Sequence, residues 1–125
     1  MRKVRKKNGS RGRVILPDPR VLPIIKSIEA AITLMSDENS LLRHGDTSEL
    51  EEFMVRKTNA EMQISEAGRE AKEAGLEVVP GSKEAELIEQ ALVRLHEASV
   101  LNAEALQGAR NALERVAELF KRAAL

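Results

Sequence analysis

An all-α, up-down-up antiparallel three-helix bundle with coiled-coil packing and a long C-terminal helix is the fold this sequence predicts. Apolar residues recur in alternating steps of three and four along three stretches. The breaks between those stretches are short and rich in glycine and capping residues. Cys, Trp and Tyr are absent and Phe occurs only twice. A core of Leu, Ile, Val, Ala and Met favours closely spaced helices, and 125 residues suit one domain.

Residues 1–18 read as a basic, disordered tail, and 19–125 as the bundle. Seven basic residues (Arg2, Lys3, Arg5, Lys6, Lys7, Arg11 and Arg13) fall within the first 13 positions with no acid, so a chain of zero net charge carries about −7 on the rest. Such a tail is a solvated arm, or an arm for nucleic acid or anionic lipid. It has none of the aromatic residues that stack on single-stranded bases.

Pro19 and Pro23 are tolerated only in a first turn, so the first helix starts near 20–23 and runs to about 44. Its seam is Val21, Ile25, Ile28, Ile32, Met35, Asn39 and Leu42, widened by Ile24, Ala31, Leu34 and Leu41. His44 faces the negative end of that helix and suits a C-terminal cap better than a ligand or base. Gly45 fits the left-handed closing position. Asp46, or Ser48 with Glu51, caps a second helix expected over about 47–74. A joint this short makes the two helices antiparallel neighbours.

The second seam is Leu50, Phe53, Lys57, Ala60, Ile64, Ala67, Ala71 and Ala74. Gly75 closes the helix, Val78 and Val79 are expected over the end of the core, and Ser82 caps the third helix. That helix spans about 83–123 along Ile88, Leu92, Leu95, Ser99, Asn102, Leu106, Ala109, Leu113, Val116, Phe120 and Ala123.

Two seam positions are polar. Alignment of the helices places Lys57 and Asn102 in one layer with Thr33. Lys57 then reads as a structural lysine whose stem covers apolar surface while its ammonium reaches Asn102, a carboxylate or water. On that reading Lys57→Met keeps or raises stability. The same alignment leaves about ten residues of the third helix beyond the first joint, exposing Val116, Leu119 and Phe120 with Leu113 at the junction. An exposed apolar face on one helix end suggests a protein partner.

Nothing in the chain suggests an enzyme. Glycine-rich phosphate loops, nucleophile elbows and the Glu-x-x-His motif of di-iron bundles are missing. No cofactor, metal or small-molecule substrate is implied. No apolar run reaches the length of a membrane span, and the chain reads as cytoplasmic.

Two stretches, "LMSDENSLLRHGDTSELEEFMVRKTNAEMQI" and "VLNAEALQGARNALERVAELF", resemble flagellar export chaperones of the FlgN type. The matching features are Glu38 near the end of the first helix, the Gly45-Asp46 turn, Glu51, Lys57, and Asn102 and Asn111 in the last helix. The resemblance covers residues 20–121. It implies a cytoplasmic protein of type III export in flagellum biogenesis. Such a chaperone binds hook–filament junction proteins before secretion and docks with an export-gate component. It also implies that the last helix contacts the partner, here through Leu106, Ala109, Leu113, Val116, Leu119 and Phe120. The family's C-terminal tyrosine has no counterpart except Phe120, and the basic arm lies outside the family outline. The oligomeric state expected is a monomer or weak homodimer. The alternative is a coiled-coil adaptor or structural protein of another pathway, associated with nucleic acid through its basic tail.

Overall fold

The computed structural model describes residues 16–124. The stretch expected as a tail lies largely outside the described residues, except for Leu16, Pro17 and Asp18. Asp18 belongs to the fold. Its carboxylate accepts from the Arg20 backbone N–H at 2.9 Å and caps a 3₁₀ turn, Pro19–Val21. That turn leads into α1, Leu22–Arg43. Then come α2, Leu50–Glu73, and α3, Lys83–Ala124. The described residues contain no strand. The all-α three-helix bundle predicted from periodicity is the observed fold.

Helix α1 packs along both partners, whereas α2 and α3 touch each other little. The first helix is therefore the spine. Its buried residues are Ile24, Ile28, Ala31, Met35 and Glu38, a row in steps of four and three, with Leu34 beside it. The core proper joins Val21, Ile24 and Ile28 to Ala71, Leu76 and Ala91. Ala71 and Ala91 are small enough to let α2 and α3 approach, and the aliphatic chains of α1 fill the space between.

Both joints close with the same device. At the first, the Asp46 N–H donates to the Leu41 carbonyl at 2.9 Å and the Gly45 N–H to that of Leu42 at 3.0 Å, with Gly45 at φ 75°. At the second, Leu76 donates to Ala71 at 2.9 Å and Gly75 to Lys72 at 3.0 Å, with Gly75 at φ 98°. These are Schellman closures, which need a residue that tolerates positive φ. Leu76 follows the second one into the core, while Val78 and Val79 are exposed. This corrects the expectation that the two valines cover the core. The residue just after the glycine is the one that folds back on the helix end.

The second helix starts later than expected. Asp46 does not cap it. Its carboxylate accepts from the Ser48 N–H at 3.0 Å and the Ser48 hydroxyl at 2.6 Å, which holds its pKa below the usual carboxylate value. The local turn that results delays regular helix to Leu50. Ser82 does cap α3, accepting from the Ala85 N–H at 3.1 Å.

The N-terminal turn is clasped to both other helices. The Asp18 N–H donates to the Glu84 carboxylate at 2.7 Å, and the Arg20 guanidinium donates to the Ala74 carbonyl at 2.5 Å. Arg20 thereby serves the negative C-terminal end of α2.

Candidate functional site

The polar layer lies one turn past Met35, the last buried apolar residue of α1. Glu38 is 2% exposed and Asn102 is 4% exposed, so both are enclosed. Lys57 reaches them from α2. Its Nζ donates to Glu38 Oε1 at 2.7 Å and to Asn102 Oδ1 at 2.9 Å. Asn102 Nδ2 donates to Glu38 Oε1 at 3.0 Å and to Asn39 Oδ1 at 2.7 Å. One carboxylate oxygen thus receives both a lysine and an amide. Through these bonds the lysine links α2 to both other helices.

Sequence reading brings Lys57 and Asn102 together, and the structure does the same. It replaces Thr33 in the layer. Thr33 is exposed and lines an outer groove between α1 and α2. The late start of α2 slides that helix by about one turn, so Lys57 meets Glu38. A seam through Ile25, Ile32 and Asn39 leaves Glu38 outside the core, whereas the structure buries it. A signal was present: Ile24, Ile28, Ala31, Met35 and Glu38 keep the same alternation and place an acid opposite the seam lysine.

This layer is committed to the fold. Lys57 is paired, and the small cavity beside it, about 110 Å³, is lined mainly by Ala31, Met35, Ala60, Ile64 and Leu95. Among the described residues no cluster of His, Asp and Glu has the makings of a metal site. His44 Nδ1 lies 2.7 Å from the Ser40 carbonyl oxygen, a helix-end contact.

The other candidate surface is the end of α3. Leu106 and Ala109 are half-buried, and every residue from Arg110 to Ala123 is exposed. Helix α1 ends at Arg43 and α2 begins at Leu50, so α3 outruns both by some 21 Å. That is longer than the ten residues expected, because the contacts of Met35 with Ser99 and Glu38 with Asn102 set the end of α1 level with about residue 107. Leu113, Val116, Leu119 and Phe120 are all exposed, Phe120 at 72%. Leu113, Val116 and Phe120 continue the line of Asn102, Leu106 and Ala109. The core-facing stripe therefore runs on after the core has ended. At its foot is a groove of about 410 Å³, lined mostly by small or apolar groups including Leu42, Gly45, Ala105, Ala109, Ala112 and Leu113. No helix among the described residues is long and apolar enough to cross a membrane.

Comparison with protein families, curated proteins and solved structures returns no match for this chain.

Proposed function

We propose that this protein is a flagellar export chaperone of the FlgN type, acting in the cytoplasm without catalysis. It binds hook–filament junction proteins before secretion through the last helix. One observation carries the reading: the stripe from Leu106 to Phe120 continues the core face of α3 past the point where α1 and α2 stop covering it. A continuous apolar row on an exposed helix is the half of a helix–helix interface that an amphipathic partner segment completes. Burying each large side chain contributes roughly 1.5–3 kcal/mol. The commitment of Lys57 to Glu38 and Asn102 favours a binding protein over an enzyme. The sequence resemblance at the Gly45-Asp46 turn and in the last helix names the class of client.

The test is titration calorimetry with a hook–filament junction protein. Val116→Ser together with Phe120→Ser is expected to weaken binding at least about tenfold, since 1.4 kcal/mol is already that factor. Unchanged affinity would remove this surface from the proposal. The seven basic residues of the N-terminal stretch support a second reading, a helical adaptor that holds nucleic acid. That reading requires affinity for DNA or RNA falling steeply with salt, and loss of it on deleting residues 1–15.

A further inference from the structure

The uncovered end of α3 is complementary to itself in one register. Its seam consists of two alternating rows. Leu106, Leu113 and Phe120 form one, and Ala109, Val116 and Ala123 the other. Neither row carries a charge. When two such helices run antiparallel, one row of each copy faces the other row of its mate. Allowed registers then differ by seven residues. Contacts such as Met35 with Ser99 and Glu38 with Asn102 set Arg43, the last residue of α1, level with about residue 107 of α3. A second copy shifted one heptad inwards would drive Phe120 to the level of Asn102, where α1 already lies. One shifted outwards would leave Leu106, Ala109 and the groove beside Leu42 uncovered.

The middle register has neither fault. It pairs Leu113 with Val116, Leu106 with Ala123, and Phe120 with Ala109. Phe120, the largest exposed side chain of the stripe, then meets the groove of about 410 Å³ whose walls include Gly45, Ala105 and Ala112. Small groups stand where the ring needs room. The second helix stops where α1 ends, so the length of the overhang matches the length of core it covers. Two negative helix ends meet at that point. Each brings cations in its last turn, Arg43 in α1 and Lys121 and Arg122 in α3.

We propose that two copies of this chain pair antiparallel through residues 106–123 of α3, each Phe120 seated in the other's groove. The interface is isologous and closed, so it gives a dimer and not a fibre. A client segment then has to displace the second copy, which makes self-pairing a guard on the stripe. That consequence rests on the chaperone reading, whereas the dimer does not.

The experiment uses the purified full chain alone. Sedimentation at micromolar concentrations is expected to give twice the 13.8 kDa of the chain. Phe120→Ser, and separately Ala112→Arg at the exposed groove wall, are expected to weaken pairing at least about tenfold with helicity unchanged. The chain has no cysteine, so orientation is read by introducing one. Leu113→Cys and Val116→Cys chains are oxidised singly and mixed, and the mixture is expected to give the most covalent dimer. Wild-type chain sedimenting as a monomer overturns the dimer. Equal cross-linking of each variant with itself overturns the antiparallel register. Client binding is not needed for either outcome, so failure of the chaperone reading leaves a separate signature.

Discussion

Where the chain enters the bundle, Val21, Ile28 and Ala91 are completely enclosed, and three helices share one aliphatic cluster. About 15 Å along the same spine, the enclosed residues are a carboxylate, an amide and most of a lysine. Farther on, α3 has no cover at all. The first region holds the helices together but says little about register, since a row of aliphatic side chains slides by a heptad at modest cost. The second says where they stop. Glu38, Lys57 and Asn102 satisfy one another in one alignment, and any slip leaves a desolvated carboxylate. A buried polar group that fixes register at some cost in stability is an established device of coiled coils. We take it as the role of this layer.

The largest effect belongs to the aliphatic end. Ile28→Ala removes a fully buried side chain from the centre of the cluster, and such truncations cost about 2–5 kcal/mol. The upper half of that range is expected, because α1 is packed from both sides and cannot collapse into the gap. Urea unfolding monitored by helicity measures it. A loss of only about 1 kcal/mol would mean that the cluster is loosely packed.

Next comes Lys57→Met, where structure reverses the sign expected from sequence. Taken as a lone seam lysine, Lys57 would be replaced at no loss. Its ammonium in fact neutralises a carboxylate that is 2% exposed. Removing one partner of a fully buried pair costs about 3–5 kcal/mol. Lys57 is itself 25% exposed, so solvent screening lowers the expectation to about 2–3 kcal/mol. Adding Glu38→Met to the same chain should restore most of the loss, because Asn102 keeps Asn39 as an acceptor. A neutral single variant, or a double variant worse than the single, would mean that this layer does not fix the register.

The reversal shows what was legible in the sequence. Periodicity located all three helices, Gly45 and Gly75 marked both closures, and Ser82 marked a cap. These are local signals, each decided within a turn or two of chain. The polar layer was half legible: Lys57 and Asn102 stood out as seam positions, but the acid between them did not. Its placement depends on how far α2 is offset from α1, and that offset is set by whether Asp46 caps a helix or the turn before it. Both are good local structures. Only the packing of Phe53, 3% exposed, and of the layer itself chooses between them. The overhang of α3 is legible in kind but not in length, because its foot is set by how α3 aligns with α1.

A smaller effect separates the two glycine closures. Both residues have positive φ, so alanine is strained at either by about 1 kcal/mol. At Gly45 an added methyl meets nothing within 4 Å. At Gly75 it comes to 2.9 Å from Arg20 Nη1, displacing the guanidinium that serves the end of α2. Gly75→Ala is therefore expected to lower the melting temperature more than Gly45→Ala. Equal shifts would mean that the Arg20 clasp adds nothing.

The smallest effect tests the same clasp through its charge. The Arg20 side chain, followed by its backbone N–H, holds the Asp18 carboxyl at about 2, below the ordinary 3.8. A carboxyl whose pKa is lower in the folded chain adds stability that is fully present above its unfolded value. That stability is lost as pH falls through the folded one. The window is thus from about pH 4 down to about pH 2. Asp18→Asn keeps an oxygen to accept from the Arg20 N–H and removes the charge together with the second oxygen that accepts from the guanidinium. The difference in melting temperature between wild type and this variant should be constant at neutral pH and shrink through that window. Taking the difference cancels the acid response of the other carboxylates. Because Asp18 and Arg20 are solvent-exposed, salt should shrink it too. A difference that persists unchanged to pH 2 would show that the clasp is held by its neutral hydrogen bonds and by Glu84, and not by the ion pair.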